Sequence, residues 1–92
     1  MPLGLIVDLV NTERIMMTER ELTFGEKAVG LTFNPSGDGN VHLIKQVFAA
    51  AIDQMDKLRI NATNNEVKRM LSVAITETQT AQMWAVKAIT WK

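Results

Sequence analysis

Two long stretches of three- and four-residue apolar spacing, divided by a short polar break, constrain this chain more than anything else in it. In the first, Val41, Ile44, Val47, Phe48, Ala51, Ile52, Met55 and Leu58 recur at helical steps, with Lys45, Gln46, Asp53, Gln54 and Lys57 on the other face. At 1.5 Å per residue this predicts a helix about 27 Å long over residues 41–58. Asn61-Ala62-Thr63-Asn64-Asn65 ends it, and Thr63 with Glu66 is a capping-box pattern that starts a second helix over residues 64–90. There Val67, Leu71, Ala74, Thr78, Ala81, Ala85 and Ala88 form a seam of mostly small residues, beside a polar stripe of Thr76, Gln79, Thr80 and Gln82. Two long helices joined by so short a break lie antiparallel, which predicts an all-α fold built on a two-helix hairpin.

The rest of the chain bounds what such a hairpin can do. With 92 residues it is one domain, and a domain of this size buries only about 60–65% of its unfolded surface. Ten basic and ten acidic residues balance, which argues against a general DNA or membrane-surface binder. No apolar run approaches the length of a membrane span. With no cysteine and His42 alone, disulfides, thiol nucleophiles and multi-histidine metal sites are excluded within one chain, so an enzyme is not expected and no cofactor is implied.

The charge is uneven. Residues 1–56 carry eight acids and four bases, and residues 57–92 carry two acids and six bases. Either the acidic half lies against the basic half in the hairpin or oligomer, or the basic C-terminal half presents a surface to an anion.

Residues 1–16 begin MPLGLIVDLV, lack a basic leader and make a poor signal peptide. With Met16 and Met17 as second possible starts, they are expected to be an N-terminal extension to a single hairpin domain over residues 17–92. Thr18 with Glu21 offers a capping box. Gly25 and Gly30 confine any helix before Phe33 to a short one around Glu26–Val29. Asn34-Pro35-Ser36-Gly37-Asp38-Gly39-Asn40 is the strongest break in the chain, with Asp38 or Asn40 placed to cap the first long helix. The last helix also carries Met70, Val73, Ile75, Met83, Trp84, Val86 and Ile89, so it is apolar over much of its circumference. Such a helix is usually buried on several sides, and the expectation is a compact homo-oligomer.

Two stretches carry a more specific signal. Leu22–Gly37 (LTFGEKAVGLTFNPSG) and Glu66–Trp91 (EVKRMLSVAITETQTAQMWAVKAITW) resemble the phage anti-CBASS cyclic-nucleotide sponge family, whose helical hairpin domain is shared with the anti-Thoeris sponge. In the second stretch the pattern runs through Arg69, Met70-Leu71, Thr76-Glu77, Gln79, Met83 and Lys87-Ala88. The resemblance covers the chain from about Glu19 onward and implies a non-catalytic protein of the host bacterial cytoplasm. It implies a helical hexamer that sequesters cyclic di- and trinucleotide immune signals.

The resemblance also nominates residues. A lysine near the start of the first long helix would meet a phosphate of a cyclic dinucleotide, which here is Lys45, with Lys27 of GEKAVG as a rival. An upstream aromatic would stack on a base; the chain has no tyrosine, and Phe33 takes that place without a hydroxyl. Asn34, Pro35 and Ser36 form the adjoining turn. Arg69 matches the basic residue that serves a separate cyclic-trinucleotide site. Each residue has a plainer alternative: Lys45 and Lys27 as solvated lysines, Phe33 as a core anchor for the loop, the turn as a turn, and Arg69 in an ion pair with Glu66. Likewise His42 fits a surface or interface group, and Trp84 and Trp91 fit packing anchors. A structural helical-hairpin oligomer around a protein partner is the competing function, and a small cyclic-nucleotide phosphodiesterase is a third.

Overall fold

The computed structural model describes residues 20–92, which form three helices: α1 over Phe24–Val29, α2 over Gly39–Asn61 and α3 over Asn65–Ile89. There is no strand among the described residues. The all-α hairpin expected from the two periodic stretches is present, with α1 as a short brace laid against it. Residues 1–16 and the cap expected at Thr18 lie outside the described residues, and Glu21 precedes α1 without joining a helix.

Local chemistry sets each boundary. Thr23 caps α1: its hydroxyl accepts from the Glu26 amide at 3.1 Å, and the Glu26 carboxylate accepts from the Thr23 amide at 2.8 Å. This reciprocal capping box satisfies two amides that a first helical turn leaves without partners. α1 stops at Gly30, whose φ of 62° is readily adopted only by glycine. The Gly30 amide donates to the Lys27 carbonyl and the Leu31 amide to the Glu26 carbonyl, a Schellman ending. Asp38 caps α2 through the Asn40 amide at 2.8 Å. α3 is capped by Asn64, which accepts from the Glu66 and Val67 amides at 2.8 and 3.3 Å. The capping box expected from Thr63 and Glu66 is therefore not the one used. Asn64 lies one residue closer to the first turn, and the Glu66 carboxylate turns instead to Arg69.

The link of residues 62–64 reverses the chain, so that the end of α2 meets the start of α3. Arg59 Nη1 donates to Ser72 Oγ at 3.1 Å near this tip, Ile52 and Ile75 share the core farther along, and Val41 faces Val86 at the open end. The core is small: Val29, Leu31, Ala49, Ile52 and Ile75 are buried together, with Ala28, Phe48 and Met55 packed around them. Both long helices are rotated from the faces that their apolar spacing suggests. On α2 the buried stripe is Val41, Lys45, Ala49 and Ile52, while Val47 and Leu58 face out. On α3 Ile75 and Gln82 are buried, while Ala81 and Ala88 of the expected seam are exposed. On α2 the reason is α1, which covers part of that helix and bonds to Asp53, a polar group that a bare hairpin would leave to solvent.

The brace is bonded closely to α2. A Cβ built on Gly25 would stand 2.1 Å from the Ala49 carbonyl oxygen, so only glycine lets the two backbones meet. Asp53 of α2, assigned to the polar face by its spacing, accepts from the Gly25 amide and from the Thr23 hydroxyl, both at 2.7 Å. α3 joins through Gln79, whose amide donates to the Ala28 carbonyl at 3.2 Å.

Candidate ligand-binding site

The loop between α1 and α2 is built as a rigid turn. Asn34 Nδ2 donates to the Asp38 carbonyl at 2.9 Å, Ser36 Oγ donates to Asn34 Oδ1 at 2.7 Å, and the Asp38 amide donates to Ser36 Oγ at 3.1 Å. Gly37, with φ of 68°, turns the chain back toward α2. The loop is then fastened from below. Lys45, only 5% exposed, sends its ammonium to the carbonyls of Gly30, at 3.0 Å, and Phe33. This answers how a lysine can lie in the buried stripe of α2 with Val41 and Ala49: its stem is buried while its charge is solvated by backbone oxygens. An ammonium carries three donors, and these carbonyls use two of them.

Over this lysine lies a cavity of about 250 Å³. Phe33, Asn34, Pro35 and Ser36 form one wall, Val41 and Lys45 of α2 the floor, and Val86 and Thr90 of α3 the far side. The Phe33 ring is 70% exposed, with its centre 5.7 Å from the Lys45 ammonium. It is thus not a core anchor but an open aromatic face beside a positive charge. Five of the six residues nominated for a cyclic dinucleotide, Phe33, Asn34, Pro35, Ser36 and Lys45, come together here.

The other nominated cations lie elsewhere. Lys27 is exposed on α1, outside this cavity, 3.4 Å from the Glu21 carboxylate. Arg69 lies near the start of α3, its guanidinium 2.5 Å from the Glu66 carboxylate. That pairing raises the Arg69 pKa and lowers that of Glu66. The ion pair anticipated for these two residues is therefore formed. His42 is exposed on the first turns of α2. Val41, Val86 and Thr90 were not nominated. Val86 and Thr90 are one turn apart and reach the loop only because α3 returns antiparallel to α2, a relation that only the pairing register supplies.

Residues 26–90 match the family described as Acb2/Tad1, hairpin domain. The chain belongs to the Acb2/Tad1 hairpin family. This is a phage anti-defence sponge family, whose members sequester nucleotides and are non-catalytic. The matched stretch runs from the first turns of α1 to the end of α3, so every residue lining the cavity falls inside the Acb2/Tad1 hairpin. No curated protein and no solved structure matches the chain.

Proposed function

We propose that this Acb2/Tad1-family protein binds cyclic dinucleotide immune signals of the cyclic GMP-AMP type at the Phe33–Lys45 cavity. It holds them intact, so that CBASS effectors in the host bacterial cytoplasm are not activated. The observation that carries this reading is the placement of an exposed aromatic ring, a rigid Asn-Pro-Ser turn and a lysine ammonium around one cavity. A purine stacked on the ring gains about 1–3 kcal/mol, and a phosphate beside the lysine adds a charge-assisted hydrogen bond.

The cavity is smaller than the ~300–1,000 Å³ typical of drug-sized ligands and holds about one base and its phosphate. A cyclic dinucleotide has two such halves, so two copies of the chain would each supply one wall. That supports a homo-oligomer, which family membership suggests is a hexamer. Arg69, on the outer surface of α3, would serve cyclic tri-adenylate at a separate site, and Lys27 is the second candidate for phosphate in the dinucleotide site. Exposed Met83, Trp84 and Ile60 favour the competing reading, a scaffold around a protein partner.

Calorimetric titration with cyclic GMP-AMP and cyclic tri-adenylate tests the proposal. The expected result is tight binding of the dinucleotide, recovery of intact ligand after denaturation, and a rise in melting temperature by mass action. Arg69→Ala should weaken only the trinucleotide. Absence of binding to both ligands would favour the scaffold, and light scattering that gives a 10.3 kDa particle would remove the oligomer.

A further inference from the structure

The sequence has two tryptophans, Trp84 and Trp91, and no tyrosine; both are exposed, near and just beyond the C-terminal end of α3, and neither lines the Phe33 cavity. Trp84 is in α3, which ends at Ile89, and Trp91 follows two residues beyond that end. Between them lie Lys87 and Ala88, and these four residues line a cleft of about 350 Å³. The Lys87 ammonium is 5.3 Å from the centre of the Trp84 ring and 5.9 Å from that of Trp91. Among the described residues no carboxylate pairs with it, and the sequence has no acid after Glu77. The rings are 65% and 74% exposed on a helix end with no apolar cover among the described residues.

From this arrangement we propose a second ligand site, in which a nucleoside monophosphate inserts its base between Trp84 and Trp91 and gives its phosphate to Lys87. A planar ring held between two others needs about 7 Å between their centres, twice a van der Waals contact of roughly 3.5 Å. With their centres 5.3 and 5.9 Å from one ammonium, the indoles lie no more than about 11 Å apart, a range that includes this spacing. Ala88 is what leaves the gap: a larger side chain one turn after Trp84 would fill it. Cation–π contacts at exposed sites are weak, so the ammonium is free to leave the rings for a phosphate. The same charge disfavours an aromatic cation, which selects an anionic ligand. Trp91 lies beyond the last turn of α3, held by its amide to the Ala88 carbonyl, and can adjust its distance to Trp84 without bending the helix.

Indole emission reports this site and not the Phe33 cavity, which contains no tryptophan. Adenosine 5′-monophosphate added to the full chain should quench that emission saturably, with a Kd on the order of 1 mM or below. Adenosine should bind about tenfold more weakly, because it lacks the charged partner of Lys87. Lys87→Gln should remove the difference between the two ligands. Ala88→Leu should weaken both by at least about tenfold. Both positions are exposed and both new residues suit a helix, so melting temperature and particle size should not change. Phe33→Ala should leave this quenching intact, which keeps the outcome separate from that of the cyclic-dinucleotide site. Three results would overturn the inference: no saturable quenching, equal quenching by both ligands in the unsubstituted chain, or an emission shift that tracks protein concentration and not nucleotide. The last would assign the face to a second copy of the chain.

Discussion

The Lys45 ammonium donates to the backbone carbonyl of Phe33 and also stands 5.7 Å from the centre of that residue's ring. One side chain therefore fixes both the path of the loop and the position of its aromatic face. Its charge lies at the base of the cavity, where a phosphate would meet the remaining donor.

Lys45→Met keeps the stem and removes the charge. It leaves the Phe33 carbonyl without the lysine donor and the Gly30 carbonyl with the Phe33 amide alone, at a cost of about 1–3 kcal/mol for a buried polar group left unpaired. The expected outcome is a lower melting temperature by calorimetry and at least about a tenfold loss of affinity for cyclic GMP-AMP. A variant that melts lower yet binds as before would show that the lysine holds the loop and does not touch the ligand.

Gly25→Ala tests the brace. Its Cβ would meet the Ala49 carbonyl oxygen at 2.1 Å and the Ala49 carbonyl carbon at 2.9 Å, and backbone atoms cannot swing aside as a side chain can. Overpacking of this kind costs about 1–3 kcal/mol or more. For a domain of this size each kcal/mol corresponds to roughly 4–8 °C in melting temperature. Differential scanning calorimetry should therefore give a fall on the order of 10 °C.

Strong acid should weaken the start of α1. The Arg20 guanidinium, 2.6 Å away, and the Thr23 amide lower the Glu26 pKa to about 2. A carboxyl with a depressed folded pKa adds stability that is fully present above its unfolded value, about 4.3. That stability is lost as the pH falls through the folded value near 2. Because Arg20 is exposed, solvent screening keeps this contribution modest. Melting temperature measured from pH 5 to pH 2, values that bracket the window, should fall less steeply in Glu26→Gln than in the unsubstituted chain.

The rotated face of α2 predicts a contrast. Ile52 is 0% exposed, and Ile52→Ala should cost about 2–5 kcal/mol by the cavity it leaves. Val47, on the same apolar series in the sequence, is exposed, and Val47→Ala should stay within about 0.5 kcal/mol in a single chain. Chemical denaturation of dilute protein measures both. A large cost at Val47 would mean that a second chain covers it.

The family match begins at residue 26, beyond residues 1–16. Removal of residues 1–16 is therefore expected to leave the melting temperature and the affinity for cyclic GMP-AMP unchanged. A loss of either would place Leu3–Val10 in the fold.

Much of this architecture is written in local chemistry. Periodic apolar residues mark α2 and α3, Asn61–Asn65 marks the reversal, and Asn34-Pro35-Ser36-Gly37 marks the loop. These signals act within a few residues, so a linear reading finds them. What it misses depends on neighbours distant along the chain. Lys45 reads as a polar-face residue until the Gly30 and Phe33 carbonyls arrive to solvate it. Asp53 reads as solvated until it accepts the amide of Gly25. Val86 and Thr90 join the cavity only through the register of α3 against α2. Thr63 and Asn64 are both competent caps, and adjacency to the first turn decides between them.

The three-residue link at residues 62–64 bears on the order in which the molecule comes together. Contacts near the tip close small loops: Arg59 and Ser72 are 13 residues apart. The Gln79–Ala28 bond spans 51 residues, and the walls of the cavity are brought together over a comparable distance. Small loops cost less entropy to close and form sooner, so pairing is expected to run from the tip toward the open end, as a zipper does. The cavity lies where that zipper finishes. Fraying would begin there, and a bound nucleotide would act as a clasp on the free ends of the hairpin.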